Sequence, residues 1–328
     1  MKKVLLATTA LVGLAGAAAA EVKITGSAEM GIVGGGEFAT NGSGGETQYW
    51  NDVDIKFTLT GESDSGLSFG AVVDLDEAGN LGNQFRNQGT SVFISGAFGT
   101  LTMGDTDGAI DWAITDAGDS SPGSIDDAET SHLGYNGSFG DGEFDNQVLR
   151  YDYSFGAVGV AVSYEQGATG PNGLLQPGDP DGSIALGVKY ALDLGGTTVN
   201  LGAGYMNTDL AFGERDILAI GVAASFGGGF SGAITFQDWN YNAAAEAARD
   251  TDVTHTAIGL GYESGPIAVH ANYGIFDFAD GSEVDGFGIA AAYDLGGGLK
   301  VHLGYGDSDD TINPGDYQTW SLGLSMAF

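Results

Sequence analysis

The side chains able to do chemistry in this chain are mostly carboxylates, and they gather. Asp and Glu number 44 against 10 Lys and Arg, for a formal charge of −34. Between Asp105 and Asn146 stand Asp105, Asp107, Asp111, Asp116, Asp119, Asp126, Asp127 and Glu129, with no Lys or Arg among them. Carboxylates in such a run can shuttle protons, ligate a divalent cation through oxygen, or concentrate cations from water. Proton chemistry lacks its usual partners. His132, His255, His270 and His302 are scattered, cysteine is absent, and no Gly-x-Ser-x-Gly elbow precedes a helix. An enzyme is not expected. Ca²⁺ suits Asp126, Asp127 and Glu129, or Asp307, Asp309 and Asp310, but neither run matches an EF-hand loop. A solvated acidic loop is the simpler reading, so no cofactor is expected, with Ca²⁺ as the one candidate. Electrostatic collection of cations remains. A chain this acidic repels nucleic acid, which is excluded as a partner.

The elements that position these groups are strands. Residues 1–20 stand apart: Met1-Lys2-Lys3 is basic, Val4 to Gly16 is apolar, and Ala18-Ala19-Ala20 supplies small residues before Glu21. This is the pattern of a cleaved secretory signal peptide, leaving residues 21–328 as one unit. No later stretch approaches the ~20 apolar residues of a spanning helix. Apolar residues alternate instead. Val53, Ile55, Phe57 and Leu59 oppose Asp52, Asp54, Lys56 and Thr58. Leu149, Tyr151, Tyr153 and Phe155 oppose Arg150, Asp152 and Ser154. The same period recurs to the final run, Trp320, Leu322, Leu324, Met326 and Phe328. About sixteen such strands fit, within the range of bacterial outer-membrane barrels. Short Gly-rich turns alternate with longer acidic loops such as Asn207–Glu214, Asn240–Asp250, Phe276–Ser282 and Asp307–Asp316. Tyr164, Tyr190, Tyr205, Tyr262, Tyr273, Tyr293 and Tyr305 end apolar runs on the apolar parity, as in the aromatic rings of a membrane interface.

If the apolar parity faces lipid, the other faces an interior of Asp, Glu, Thr, Ser and Gly. That interior is too polar for a dry core, and a barrel of about sixteen strands leaves an aqueous channel. Lys56, Arg150, Lys189 and Lys300 share the lumen parity, while the parity around Arg86 is ambiguous because Val92, Phe93 and Ile94 are all apolar. These cations either form a wall facing the acidic loop or neutralise neighbouring Asp residues. Ile110, Trp112 and Ile114 either anchor the loop to the inner wall or offer an aromatic patch to a sugar. A long irregular insertion in an all-β chain is usually functional.

The run Gly96-Ala-Phe-Gly-Thr-Leu-Thr-Met-Gly104, the long loop, Asn146-Gln-Val-Leu-Arg-Tyr151 and the terminal Phe328 together resemble the general diffusion porins of Gram-negative outer membranes, closest to the alphaproteobacterial branch. The resemblance spans essentially all of residues 21–328. It implies an all-β, sixteen-stranded antiparallel transmembrane barrel whose third long loop folds inward as a constriction. It also implies a homotrimer in outer-membrane lipid and lipopolysaccharide, crossed passively by small hydrophilic solutes and ions. On that basis the eight loop carboxylates form the constriction, with Lys56, Arg86 and Arg150 as the basic wall. The family usually carries Arg where this chain has Asp105, and its arginine cluster is thin here. The departure favours a more uniformly negative, cation-preferring pore. The competing expectations are a substrate-specific channel, for a sugar or another small molecule, and a soluble periplasmic Ca²⁺-binding β-protein.

Overall fold

Alternation with a period of two leaves one face of each segment apolar and the other polar, which only a sheet can use. A sheet wet on one side and lipid-facing on the other must close, because an open edge would leave unpaired backbone groups in hydrocarbon. The computed structural model, which describes residues 20–77, 86–144, 147–167, 175–242, 244–245 and 251–328, is such a closed barrel. Its strands are β1 (Glu21–Gly35), β2 (Gln48–Glu62), β3 (Ser68–Glu77), β4 (Arg86–Gly96), β5 (Gly99–Gly104), β6 (Val148–Phe155), β7 (Val158–Glu165) and β8 (Ser183–Asp193). They continue with β9 (Thr197–Leu210), β10 (Gly213–Phe226), β11 (Phe230–Tyr241), β12 (Val253–Ser264), β13 (Ile267–Phe278), β14 (Glu283–Gly296), β15 (Leu299–Asp310) and β16 (Thr319–Ala327). Every neighbour in sequence pairs antiparallel, and β1 pairs with β16, from Ser27 opposite Ala327 to Gly35 opposite Thr319. Phe328 N–H adds a bond of 2.8 Å to Gly26 O, so the last residue completes the seam.

The start of β1 and the end of β16 lie at the short-turn rim, where Gly156, Gly195, Gly228, Gly265 and Gly297 adopt left-handed φ that a tight reversal needs. At the other rim, three expected loops are shorter than their acidity suggests. Across Asn207–Glu214, β9 and β10 keep pairing, Thr208 with Arg215 and Asp209 with Glu214, leaving only Ala211-Phe212 as a turn. Pairing likewise carries β13 to Phe278 and β15 to Asp310. Charged residues on these strand ends project into water while the ladder continues, so polarity alone misplaces the boundary. Phe93 settles the parity of β4: Val92 and Ile94 are exposed outward, and a β-carbon at Gly70 would meet the Phe93 ring at 2.6 Å.

The outer face is apolar along the middle of the strands. Leu186, Ile220, Ile234, Leu260, Ile289 and Leu303 are exposed in a belt. Tyr190, Tyr262 and Tyr293 edge it at the short-turn side, and Tyr164, Tyr205, Tyr273 and Tyr305 at the loop side. No described helix is long and apolar enough to cross a membrane; the strands do so. Residues 1–19, which carry nearly all of the expected signal peptide, lie outside the described residues.

Candidate functional site

The longest stretch without strand pairing among the described residues is Asp105–Phe144, described in full, with 145–146 outside the described residues. It folds into the barrel. A five-residue helix α1 (Ala109–Ala113) packs on β7, β8 and β9, and a 3-10 turn (Ile125–Asp127) packs on β15, β16 and β1. The apolar side chains that anchor it are few. Ile110, Ile114 and Phe139 are buried against Ala161, Ala185, Met206, Ile217 and Ala219 of the inner wall. Burial of each large side chain contributes roughly 1.5–3 kcal/mol. Anchoring is therefore what Ile110 and Ile114 do. Trp112 is half-buried beside them, with Lys189 Nζ 3.5 Å from its ring centroid and donating to Trp112 O at 3.0 Å.

Elsewhere the loop meets the wall through its backbone, and the wall is built to let it approach. A β-carbon at Gly187, Gly259 or Gly288 would stand 1.8, 1.7 or 1.6 Å from the carbonyl oxygens of Ala109, Ala117 and Glu129. Those glycines lie on the lumen parity of β8, β12 and β14. Polar wall side chains then pair the loop's peptide groups. Ala109 N–H donates to Ser163 Oγ (2.9 Å), Leu133 N–H to Ser308 Oγ (2.9 Å), and Thr319 Oγ1 to Ala128 O (3.0 Å). Asn272 Nδ2 donates to Glu129 O at 3.0 Å. Sequence reading missed this track of Gly, Ser, Thr and His. The available signal was Met206 and Ile217, apolar residues on an otherwise polar parity, which mark where the loop docks.

The carboxylates divide. Asp105, Asp107, Asp119 and Asp127 are exposed, Asp111, Asp116 and Asp126 are partly so, and Glu129 is buried. Glu129 accepts from Ser121 Oγ (3.0 Å) and Ser124 Oγ (2.5 Å), so it braces the loop from inside and does not line the lumen as expected. Asp116 accepts from Tyr135 Oη at 3.1 Å and from the Gly118 N–H. Asp126 and Asp127 sit at φ of 62° and 44°, a left-handed pair tolerated best by Asp and Asn. Glu29 of β1 lies within electrostatic reach of both, and Asp54 of β2 within reach of Asp127. Scarce water and mutual repulsion raise several of these groups. Asp111 is pushed up to about 7 by burial and by Asp107, Asp141, Asp116 and Asp119. Asp126 rises to about 7 through burial, against a bond from Asn41, and Asp119 to about 6 through burial and Asp116.

Three of the cations pair locally with carboxylates. Lys56 Nζ meets Asp74 Oδ2 at 2.8 Å across β2 and β3. Arg150 Nη1 donates to Asp107 O at 2.6 Å, and its Nε lies 3.4 Å from Asp152 Oδ1. Arg215, which sequence reading passed over, is buried with Nη1 2.9 Å from Glu143 Oε2 and its guanidinium 4.7 Å from the Trp239 ring centroid. Arg86 opens β4 opposite Asp76, and its side chain lies outside the described residues. Of the two readings of the wall cations, local neutralisation fits Lys56 and Arg150. Among the described residues no three His, Asp or Glu side chains converge to hold a metal, and Asp126, Asp127 and Glu129 diverge because Glu129 turns into the loop.

A closed sixteen-stranded barrel, apolar outside, wet within and narrowed by its own acidic loop, defines a transmembrane diffusion channel. The model of the Gram-negative porin family matches residues 7–313, and the chain belongs to that family. A porin of Rhodobacter capsulatus is 31% identical over 323 residues, covering 94% of this chain and 100% of the relative. A porin structure refined at 1.8 Å superposes with a TM-score of 0.68 at 28% identity, covering 94% of this chain and 100% of that one. A triple variant of Rhodopseudomonas blastica porin, 20% identical over 94% of this chain and 100% of its own, shares the fold with a TM-score of 0.64. The protein is thus an outer-membrane porin crossing the membrane repeatedly by strands, a channel and not an enzyme. The periplasmic Ca²⁺-binding alternative falls with the lipid-facing belt and the family.

Proposed function

We propose that this porin passes small hydrophilic solutes and prefers cations. One observation carries the reading. Ten carboxylates and no Lys or Arg lie between Asp105 and Phe144. Of the cations that the wall offers, Lys56, Arg150 and Arg215 each already sit against a carboxylate. The residual field in the narrow lumen is negative, where scarce water lets charges act strongly. It raises cation concentration at the constriction and opposes anions. A sugar-selective channel is disfavoured because Lys189 covers one face of Trp112, the ring a sugar would stack on. Family membership supports a homotrimer in lipid and lipopolysaccharide, and the start of β1 at Glu21 supports maturation before that residue. The test is the zero-current potential across a planar bilayer under a KCl gradient. It takes the sign of K⁺ selectivity at low salt and shrinks toward 1 M, where the Debye length is about 3 Å. Cl⁻ selectivity at low salt overturns the proposal.

A further inference from the structure

The chain has four histidines, and conduction uses none of them directly. All four are buried at the seam between loop and wall. His255 of β12, His270 of β13 and His302 of β15 occupy lumen-facing positions, so the loop itself keeps them from water. His255 Nε2 lies 2.9 Å from Gly134 O, His270 Nε2 3.0 Å from Ala117 O, and His302 Nδ1 2.8 Å from Gly123 O. The fourth reaches the other way: His132 Nε2, on the loop, is 2.5 Å from Asn272 Oδ1 on β13. These contacts are spread from Ala117 to Gly134, the half of the loop that lacks the apolar anchor of α1.

The partners fix the proton on each ring. Trp239 Nε1 donates to Gln237 Oε1 at 3.0 Å, which turns Gln237 Nε2 toward His255 Nδ1 at 3.2 Å. His255 Nδ1 therefore accepts, and its proton is on Nε2, donated to Gly134 O. Asn272 Nδ2 is engaged by Glu129 O, so its Oδ1 accepts from His132 Nε2–H. Nδ1 of His132 and Nδ1 of His270 are buried without a partner. A second proton would meet a donor at His255 and find no acceptor at His132 or His270. Lifting the loop would hydrate the rings and remove that penalty.

We infer that the four histidines are positioning residues of the constriction, and that His132, His255 and His270 fasten the loop to the wall only while their rings are neutral. The inference rests on the reading that the loop lines the pore. The charged groups facing the rings are Asp116 and Glu129 toward His270, and Glu129 and Asp285, with His255, toward His132. His255 faces Gln237, Gly134 O and the Phe276 ring, and His302 faces Gly123 O and Ser325 Oγ. The carboxylates favour a charged ring and the missing acceptors oppose it; at His132 burial wins and holds the ring below its usual range. Protons therefore bind better to the lifted loop, and acid favours lifting.

Single-channel recording from about pH 8 to about pH 4.5 spans the imidazole range. The quadruple variant His132→Gln, His255→Gln, His270→Gln, His302→Asn places an amide donor near each lost N–H and leaves no imidazole to titrate. We expect wild type to conduct steadily at neutral pH and to fluctuate in acid, and the amide variant to lose that acid-induced fluctuation. A second variant, His255→Phe with His270→Phe, removes the donors and should fluctuate at every pH. Acid fluctuation in the amide variant equal to wild type overturns the inference, as does a steady Phe variant with a heat-modifiable barrel. If the Phe variant fails to fold, the amide variant still decides. Asp107→Asn, Asp111→Asn and Asp127→Asn in the same bilayers separate the two failures. Should these leave the reversal potential and conductance unchanged, the loop does not line the pore; should they shift both while the histidine variants behave as wild type, only the histidine assignment fails.

Discussion

The groups on which the proposed ion preference rests are the ones whose charge the site makes hardest to keep. Asp111 lies among Asp107, Asp141, Asp116 and Asp119 and is pushed up to about 7, as is Asp126 beside Asp127, while Asp119 rises to about 6. A raised carboxylate is charged only above its raised value. The field of the constriction is therefore complete at about pH 8 or above and fades through neutrality, well above the ~4 at which ordinary carboxylates titrate. Measured as reversal potential against pH, cation preference should fall between about pH 8 and about pH 6, and Asp111→Asn should flatten that upper part of the curve. Preference that persists unchanged to about pH 5 would contradict the assignment. Protonating these carboxylates relieves repulsion within the loop, while protonating the histidines weakens its hold on the wall. The two effects are separable because one moves selectivity and the other current stability. From residue types alone the loop's acidity was plain, yet Glu129 could not be told from its neighbours, because only the fold shows Ser121 and Ser124 closing over it.

At the scale of elements, the loop is seated on a wall that has been cleared for it. Backbone carbonyls of the loop approach Gly187, Gly259 and Gly288 so closely that no β-carbon fits. Gly259→Val should leave β12 paired, since valine suits a strand, but push Ala117 inward. Single-channel conductance is expected to fall while the folded, heat-modifiable band persists; unchanged conductance would mean the loop does not rest on this track. The strands themselves were legible because lipid outside and water inside impose strict alternation. Three features were not. The rim at Asn207–Glu214 reads as a loop, but its acidic residues sit on strands that extend into water. The glycine track reads as turns and close packing, since alternation tells which face is outward and nothing about what lies against the inner face. The histidines read as scattered side chains, and their bonds join residues as far apart as His302 and Gly123.

At the scale of the whole molecule, the barrel separates two solvents with one layer of backbone. Leu260 is 63% exposed on the outer belt, whereas Asn200 faces the lumen beside α1. Leu260→Arg should cost about 2–4 kcal/mol of folding into bilayers if it lies near the midplane, read as lost folding yield in vesicles. Asn200→Arg should fold normally and reduce cation preference. Equal yields for the two would contradict the assignment of faces. The outer face, the wet interior and the inward loop together make the acidic constriction the narrow point of the path, and that is the claim on which the function rests. Its most direct test is the reversal potential of the wild-type porin and of the Asp107→Asn, Asp111→Asn, Asp127→Asn variant, under the same low-salt KCl gradient. The account predicts a K⁺-selective potential that drops sharply in the variant while conductance changes less. Equal potentials for the two proteins would contradict it.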